Sequence, residues 1–145
     1  MILPDINLLL YAHNRDSRLH AKSRMWWEDC LSQPQPVVLC APVLFGFLRI
    51  STNERIFRGS LTIKQASALV AMWLDQPVVQ FAATTRRDFQ TALTLLGESG
   101  AGGDLTTDAE IAAISLRLGT TIHTHDTDFA RFPSVRWINP LVAKR

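Results

Sequence analysis

The chain has 145 residues, is 47% hydrophobic and 19% charged, and carries a formal net charge of +2. These values fit one globular domain over residues 1–145 with a full core, and they permit nucleic-acid binding without requiring it. No apolar run approaches the ~20 residues of a membrane span, no targeting signal opens the chain, and Cys30 and Cys40 lack disulfide or zinc-ligand spacing. A cytoplasmic protein with two reduced core thiols is expected.

"MIL" at Met1–Leu3 reads as a short buried strand stopped by Pro4, and "INLLLYAH" as a helix over Ile6–His13. "RLHAKSRMWWEDCLS" follows as a second helix, with Leu19, Met25, Trp26, Cys30 and Leu31 near helical period, ended by Pro34 and Pro36. Trp26 and Trp27 are adjacent, so they cannot both face one core, and one is expected to meet a partner. Val37–Cys40 is a strand, and Pro42 opens a helix through "VLFGFLRIS". Thr62 opens the next helix, whose inner face is Ile63, Ala66, Val70 and Trp73.

Val78–Phe81 is a strand, and "RRDFQTALTLLGES" is a helix. "GESGAGGD", Gly97–Asp104, reads as a flexible loop. In "TDAEIAAISLRLG" the Thr107–Glu110 spacing predicts a capping box, and Gly119 predicts the helix end. "TTIHTH" is a strand, and "VRWI" closes the series. Alternating strands and helices predict a three-layer α/β/α domain with a mainly parallel sheet of four or five strands.

In such sheets the chemistry collects beyond the carboxyl ends of the strands. Asp5 follows the first strand, Asp126 follows "TTIHTH", Asp128 stands two residues on, and Asp108 lies near a helix start at the same edge. Singly, each acid suits a cap or a turn. Together they would repel unless a cation intervened. Oxygen donors without cysteine favour Mg²⁺ or Mn²⁺ over zinc, and Mg²⁺ completes its shell with water and phosphate oxygens. Phosphoryl chemistry follows. His125 is read as a packing residue, as is His123, because water activation by a metal needs no histidine; His13 and His20 carry no signal. Arg15, Arg18, Lys22 and Arg24 form one basic group, and Arg49, Arg55 and Arg58 another. Either group could touch phosphates or simply face solvent.

"LPDINLLLYAH", "TDAEIAA" and "THDTDFARF" resemble the PIN-domain ribonucleases, and more closely the VapC-type toxins of bacterial toxin-antitoxin operons. "FLRISTNERIF" and "FPSVRWINPL" extend the resemblance over nearly the whole chain, in matching order. It implies a PIN-like fold and a Mg²⁺- or Mn²⁺-dependent endoribonuclease cutting structured RNA such as tRNA or ribosomal RNA. It also implies a cognate antitoxin and a homodimer. Carried onto this chain, it makes Asp5, Asp108 and Asp126 catalytic, places the metal on these with Asp128, and puts Asn7 and Thr124 beside them. Gly46 stands where many relatives carry a glutamate. Position 46 is thus expected to look toward the metal, with Asp104 or Glu54 as a substitute ligand and Arg49 as a phosphate contact. The alternative is a non-catalytic PIN-like module that binds RNA or protein, its chemistry lost with the acid at Gly46.

Overall fold

The computed structural model describes residues 1–142, so the last three residues of the expected domain lie outside the described residues. The elements are β1 (Ile2–Pro4), α1 (Ile6–His13), α2 (His20–Ser32), β2 (Val37–Cys40), α3 (Ala41–Ser51), α4 (Ile63–Leu74), β3 (Val79–Ala82), α5 (Arg86–Ser99), α6 (Leu105–Leu118), β4 (Thr121–His123) and β5 (Trp137–Ile138), with a short 3-10 turn at Asp128–Arg131. The five strands run in the order β3-β2-β1-β4-β5, and every pairing is parallel. All residues of β1 and β2 are buried, which requires cover on both faces. The helices supply that cover, giving the three-layer α/β/α arrangement. Among the described residues no helix is long and apolar enough to cross a membrane.

The strand order fixes where a ligand can enter. From β1 the chain moves to β2 and β3 on one side, and later returns to β4 and β5 on the other. The carboxyl ends of β1 and β4 are therefore the topological switch point, where crossovers leave in opposite directions and open a crevice. Pro4 ends β1 instead of stopping it one residue earlier, and pairs with His123. A proline is tolerated at a strand end because the missing donor interrupts little of the ladder.

Several expectations change in detail. Helix α6 starts at Leu105, and Asp104 at its N-cap makes no side-chain capping bond. The Thr107–Glu110 capping box does not form; burial of Leu105 extends the helix upstream, and Glu110 Oε1 instead accepts a 2.8 Å bond from the Thr84 hydroxyl. Helix α5 runs through Ser99, as "RRDFQTALTLLGES" implies, and ends at Gly100 with φ 66°, so the overlapping stretch from Gly97 is helical before the loop begins. In α2 the buried face is Ser23, Trp27 and Cys30, while Met25 is exposed. Trp27 enters the core; Trp26 is half-buried, and its Nε1 donates to His123 Nδ1 at 3.1 Å rather than standing free for a partner. Ile63 faces solvent because α4 is an outer helix that buries only Ala66 and Trp73 fully. His13 is no bystander: its ring lies 5.2 Å from Trp73, which stacks edgewise on Phe47 and Trp27.

The packing of α3 on α1 sets what stands opposite Gly46. A Cβ built there collides with Ile6 Cδ1 and lies 2.9 Å from Ile6 Cγ1. Position 46 thus faces the first turn of α1, and a glutamate has no room there while Ile6 keeps its place. Any side chain at position 46 makes the half-buried Ile6 side chain shift. Alanine would gain up to ~1 kcal/mol of helix propensity, against about 1–3 kcal/mol lost to overpacking. Gly46→Ala should therefore lower stability by about 1–2 kcal/mol in urea denaturation, and Ile6→Ala should cost less in the Gly46→Ala background than alone. Additive losses in this cycle would refute the contact.

Candidate functional site

The site is built around one hydroxyl. Asp5 is the N-cap of α1, with extended backbone, and its Oδ1 accepts the Ile6 N–H at 2.7 Å. The Asp5 N–H donates to the His123 carbonyl at 2.9 Å, which places Asp5 beside the end of β4. Thr124, fully buried, donates its hydroxyl to Asp5 Oδ2 at 2.7 Å. Thr124 Oγ1 in turn accepts from Asn7 Nδ2 at 3.1 Å and from the Asp126 N–H at 3.0 Å. A hydroxyl has one donor and two acceptor sites, so Thr124 is fully used. Asp126 Oδ1 in turn accepts the Asp128 N–H at 3.1 Å, and Asn7 Oδ1 accepts the His125 N–H at 3.4 Å. These bonds turn the chain out of β4 sooner than "TTIHTH" suggests.

Asp108 faces this group from the first turn of α6. Its carboxyl is pushed up to about 7, first by burial, then by the charges of Asp5, Asp128, Asp126 and Asp104. Asp5 is also raised, mainly by burial and further by Asp126 and Asp128; the bonds from Thr124 and Ile6 pull the other way. Asp5 and Asp126 meet through the Thr124 hydroxyl, Asp126 accepts the Asp128 N–H, and Asp108 lies within the field of these acids. Asp104 contributes to the field at Asp108 from an exposed position. Arg49 and Glu54 are exposed, and among the described residues neither hydrogen-bonds to the acidic group.

Among the described residues, no three His, Cys, Asp or Glu side chains close around one point as a ready-made ligand shell. That still fits a hard cation that keeps several waters and takes only one or two carboxylates directly. The donor set is oxygen throughout, and the acids raise each other's proton affinity in the way a bound cation would relieve.

The two histidines of β4 and its exit differ. His123 is packed as expected, and its pKa is lowered to about 4, chiefly by burial and then by the N-terminal charge. His125 is exposed rather than packed, and stands edge-on to Tyr11 at 5.8 Å. Tyr11 had drawn no attention in the sequence. The available signal was its spacing: four residues after Asn7, it shares that helix face.

The raised Asp108 carboxyl has a stability consequence. In the unfolded chain it ionises near 4, and in the folded chain near 7. Its contribution to cation-free stability is therefore full below about pH 4 and lost as pH rises through about 7. In EDTA, the melting temperature of the wild type should fall relative to that of Asp108→Asn between pH 4.5 and 8. Parallel thermal profiles for the two proteins would show that Asp108 is not held in this field.

The PIN domain family model matches residues 2–135. A curated relative, Ribonuclease VapC33 of Mycobacterium tuberculosis, is 42% identical over 141 residues, spanning 97% of this chain and 99% of its own. Ribonuclease VapC37 of the same organism is 34% identical over 140 residues, spanning 97% of each chain. Among solved structures, Mycobacterium tuberculosis VapC20, described as a sarcin-ricin loop cleaving toxin, matches with a TM-score of 0.70 at 22% identity, over 94% of this chain and 99% of that one. VapBC2 from Rickettsia felis, bound to a DNA fragment from their promoter, matches with a TM-score of 0.69 at 17% identity, over 96% and 98%. At those identities the two structures speak for the fold alone. From the extent of the family match and the identity to its curated relatives, the chain belongs to the PIN-domain family, among its VapC-type members.

Proposed function

We propose that this protein is a divalent-metal-dependent endoribonuclease, the toxin of a toxin-antitoxin pair, which hydrolyses phosphodiester bonds in structured RNA. The observation that carries the reading is the bonding of Asp5, Asn7 and Asp126 through the Thr124 hydroxyl, with Asp108 opposite, at the switch point of the sheet. The names of its curated relatives support RNA cleavage. A structured substrate is supported by the sarcin-ricin loop named for VapC20.

Asp5, Asp108, Asp126 and Asp128 would hold Mg²⁺ or Mn²⁺, with Asp104 as a further acid at the rim. When bound, such a cation supplies Lewis-acid activation of water and neutralises charge at the phosphate. The chain's own residues do the positioning. Thr124 fixes one oxygen of Asp5, the Ile6 N–H fixes the other, and Asn7 fixes Thr124. Asp108, whose proton affinity is raised by burial and by the neighbouring acids, would be ionised when it holds the cation. Arg49 is exposed on α3 and is assigned to phosphate contact at the rim. The alternative is a non-catalytic PIN-like module that binds RNA or protein, its chemistry lost with the acid at Gly46; the ribonuclease names of the curated relatives favour the catalytic reading.

Purified protein should cut total bacterial RNA with Mg²⁺ or Mn²⁺, and should stop in excess EDTA. Asp5→Asn and Asp108→Asn should each bring cleavage below detection while the fold persists. Thr124→Val, which removes only a supporting hydroxyl, should cost about 10–100-fold in rate. Chelator-resistant cleavage, or wild-type rates in both Asp variants, would overturn the metal reading.

A protein partner is supported by solved structures whose names pair two components, VapBC2 and FitAB. The partner assigned here is a cognate antitoxin that blocks the site, and the protein is assigned as a homodimer. Expression of this chain alone should arrest growth with loss of intact RNA, and co-expression of the adjacent gene should restore growth. Normal growth with abundant folded protein would count against the toxin assignment.

A further inference from the structure

We propose that Tyr11 and His125 form a seat for one unpaired nucleobase of an RNA strand, immediately beside the carboxylates. The inference rests on the ribonuclease reading and names a subsite for its substrate. A cavity of about 280 Å³ is lined by Asn7, Tyr11, His125, Asp126 and Thr127. Its two rings stand 5.8 Å apart at 83°, edge to face, so they make a right-angled corner in which a flat ring laid on the face of one meets the other at a right angle.

The corner is held in place. Asn7 Oδ1 accepts the His125 N–H, and Asn139 Nδ2 lies 3.1 Å from His125 Nδ1. Asn139 Oδ1 already accepts the Leu141 N–H at 3.0 Å, so the amide nitrogen faces the imidazole and must donate to it. His125 Nδ1 is then the acceptor, and the neutral ring carries its proton on Nε2. Among the described residues, neither that N–H nor the Tyr11 hydroxyl has a protein partner, so both are available to a ligand. Tyr11 lies within the field of the site: its hydroxyl is raised first by burial, then by Asp126 and Asp5.

The lining selects among RNA groups. It contains no lysine or arginine and includes Asp126, so a phosphate is disfavoured there. A base is neutral, has a π face for either ring, and has edge groups for the Nε2–H, the tyrosine hydroxyl and Thr127. A base paired in a duplex cannot present its face, so the seat takes a nucleotide from a loop or a bulge. Its place beside Asp126 makes this nucleotide a neighbour of the scissile phosphate.

The test uses an RNA hairpin cut by the wild type, with 2-aminopurine or an abasic residue at each loop position in turn, bound to Asp108→Asn protein in Mg²⁺. One position should show fluorescence quenching on binding. An abasic residue there should weaken binding about ten-fold. Tyr11→Ala, made in the same protein, should cause a similar loss on intact RNA and no further loss on the abasic RNA, while Tyr11→Phe should keep most of the affinity. In otherwise wild-type protein, Tyr11→Ala should raise KM more than it lowers kcat. Unchanged affinity on Tyr11→Ala, or equal losses on intact and abasic RNA, would overturn the seat. Tyr11→Ala that spares RNA binding but releases a protein partner would assign the corner to protein instead. If the wild type cuts no RNA, the ribonuclease reading fails separately. The seat is then decided by binding of single-stranded RNA containing 2-aminopurine: quenching lost in Tyr11→Ala upholds it, and no binding overturns it.

Discussion

The parallel pairing of β1 with β4 is the constraint on which the rest of the molecule depends. It sets Leu3 beside Ile122 and Pro4 beside His123, so the first residue past each strand emerges at the same level. Asp5 then starts a helix and Thr124 starts a turn, and their side chains meet at 2.7 Å although 119 positions separate them in the chain. One hydroxyl can serve Asp5, Asn7 and Asp126 together only because the ladder brings both chain exits to one place. A one-residue slip in a strand moves every side chain to the opposite face. It would take Asp5 away from Thr124 and dismantle the site.

Gathering acids in this way has an electrostatic cost that local structure does not cancel. Asp5 caps α1 and Asp108 lies in the first turn of α6, so both helix N-termini favour negative charge. That is worth about 0.3–1 kcal/mol per helix end. Removing a carboxylate from water costs several kcal/mol, and the neighbouring acids add repulsion. Desolvation and repulsion win, and Asp108 responds by holding its proton to about 7. A proton or a cation at this place relieves the repulsion. The ion pair of Asp88 shows the other solution: Arg117 Nε lies 2.8 Å from its Oδ1, and Thr85 bonds to the same carboxylate. Hydrogen bonds and the charge of Arg117 outweigh burial, Asp88 stays ionised with a lowered pKa, and the pair locks α5 to α6.

Close packing explains the departure at Gly46. The first turn of α1 carries Asp5 and Asn7 on either side of Ile6, and Ile6 reaches the backbone of α3 where a Cβ would stand. The glycine lets two helices approach and holds the turn that presents the acids.

The amino-acid sequence alone determined the helices and strands, their alternation, and the acids at strand ends, because hydrophobic period, caps and breakers are local properties. Ile6–His13 and Arg86–Ser99 emerge with the bounds their residues imply. The positions of Asp5, Asp108, Asp126 and Asp128 at strand ends and a helix start were legible, and the parallel sheet places those ends at one edge. The tertiary structure decided what depends on contacts between distant segments. Leu105 moved a helix start because burial rewards it, and Trp27 rather than Trp26 entered the core because Trp73 was there to meet it. Position 46 meets the Ile6 side chain, a contact that spacing along the chain does not report. The Tyr11–His125 corner exists only because α1 crosses the exit of β4, and Asn139 beyond β5 orients the imidazole. Spacing in one dimension reports which face a residue occupies; what stands opposite that face is set by the packing of the whole chain.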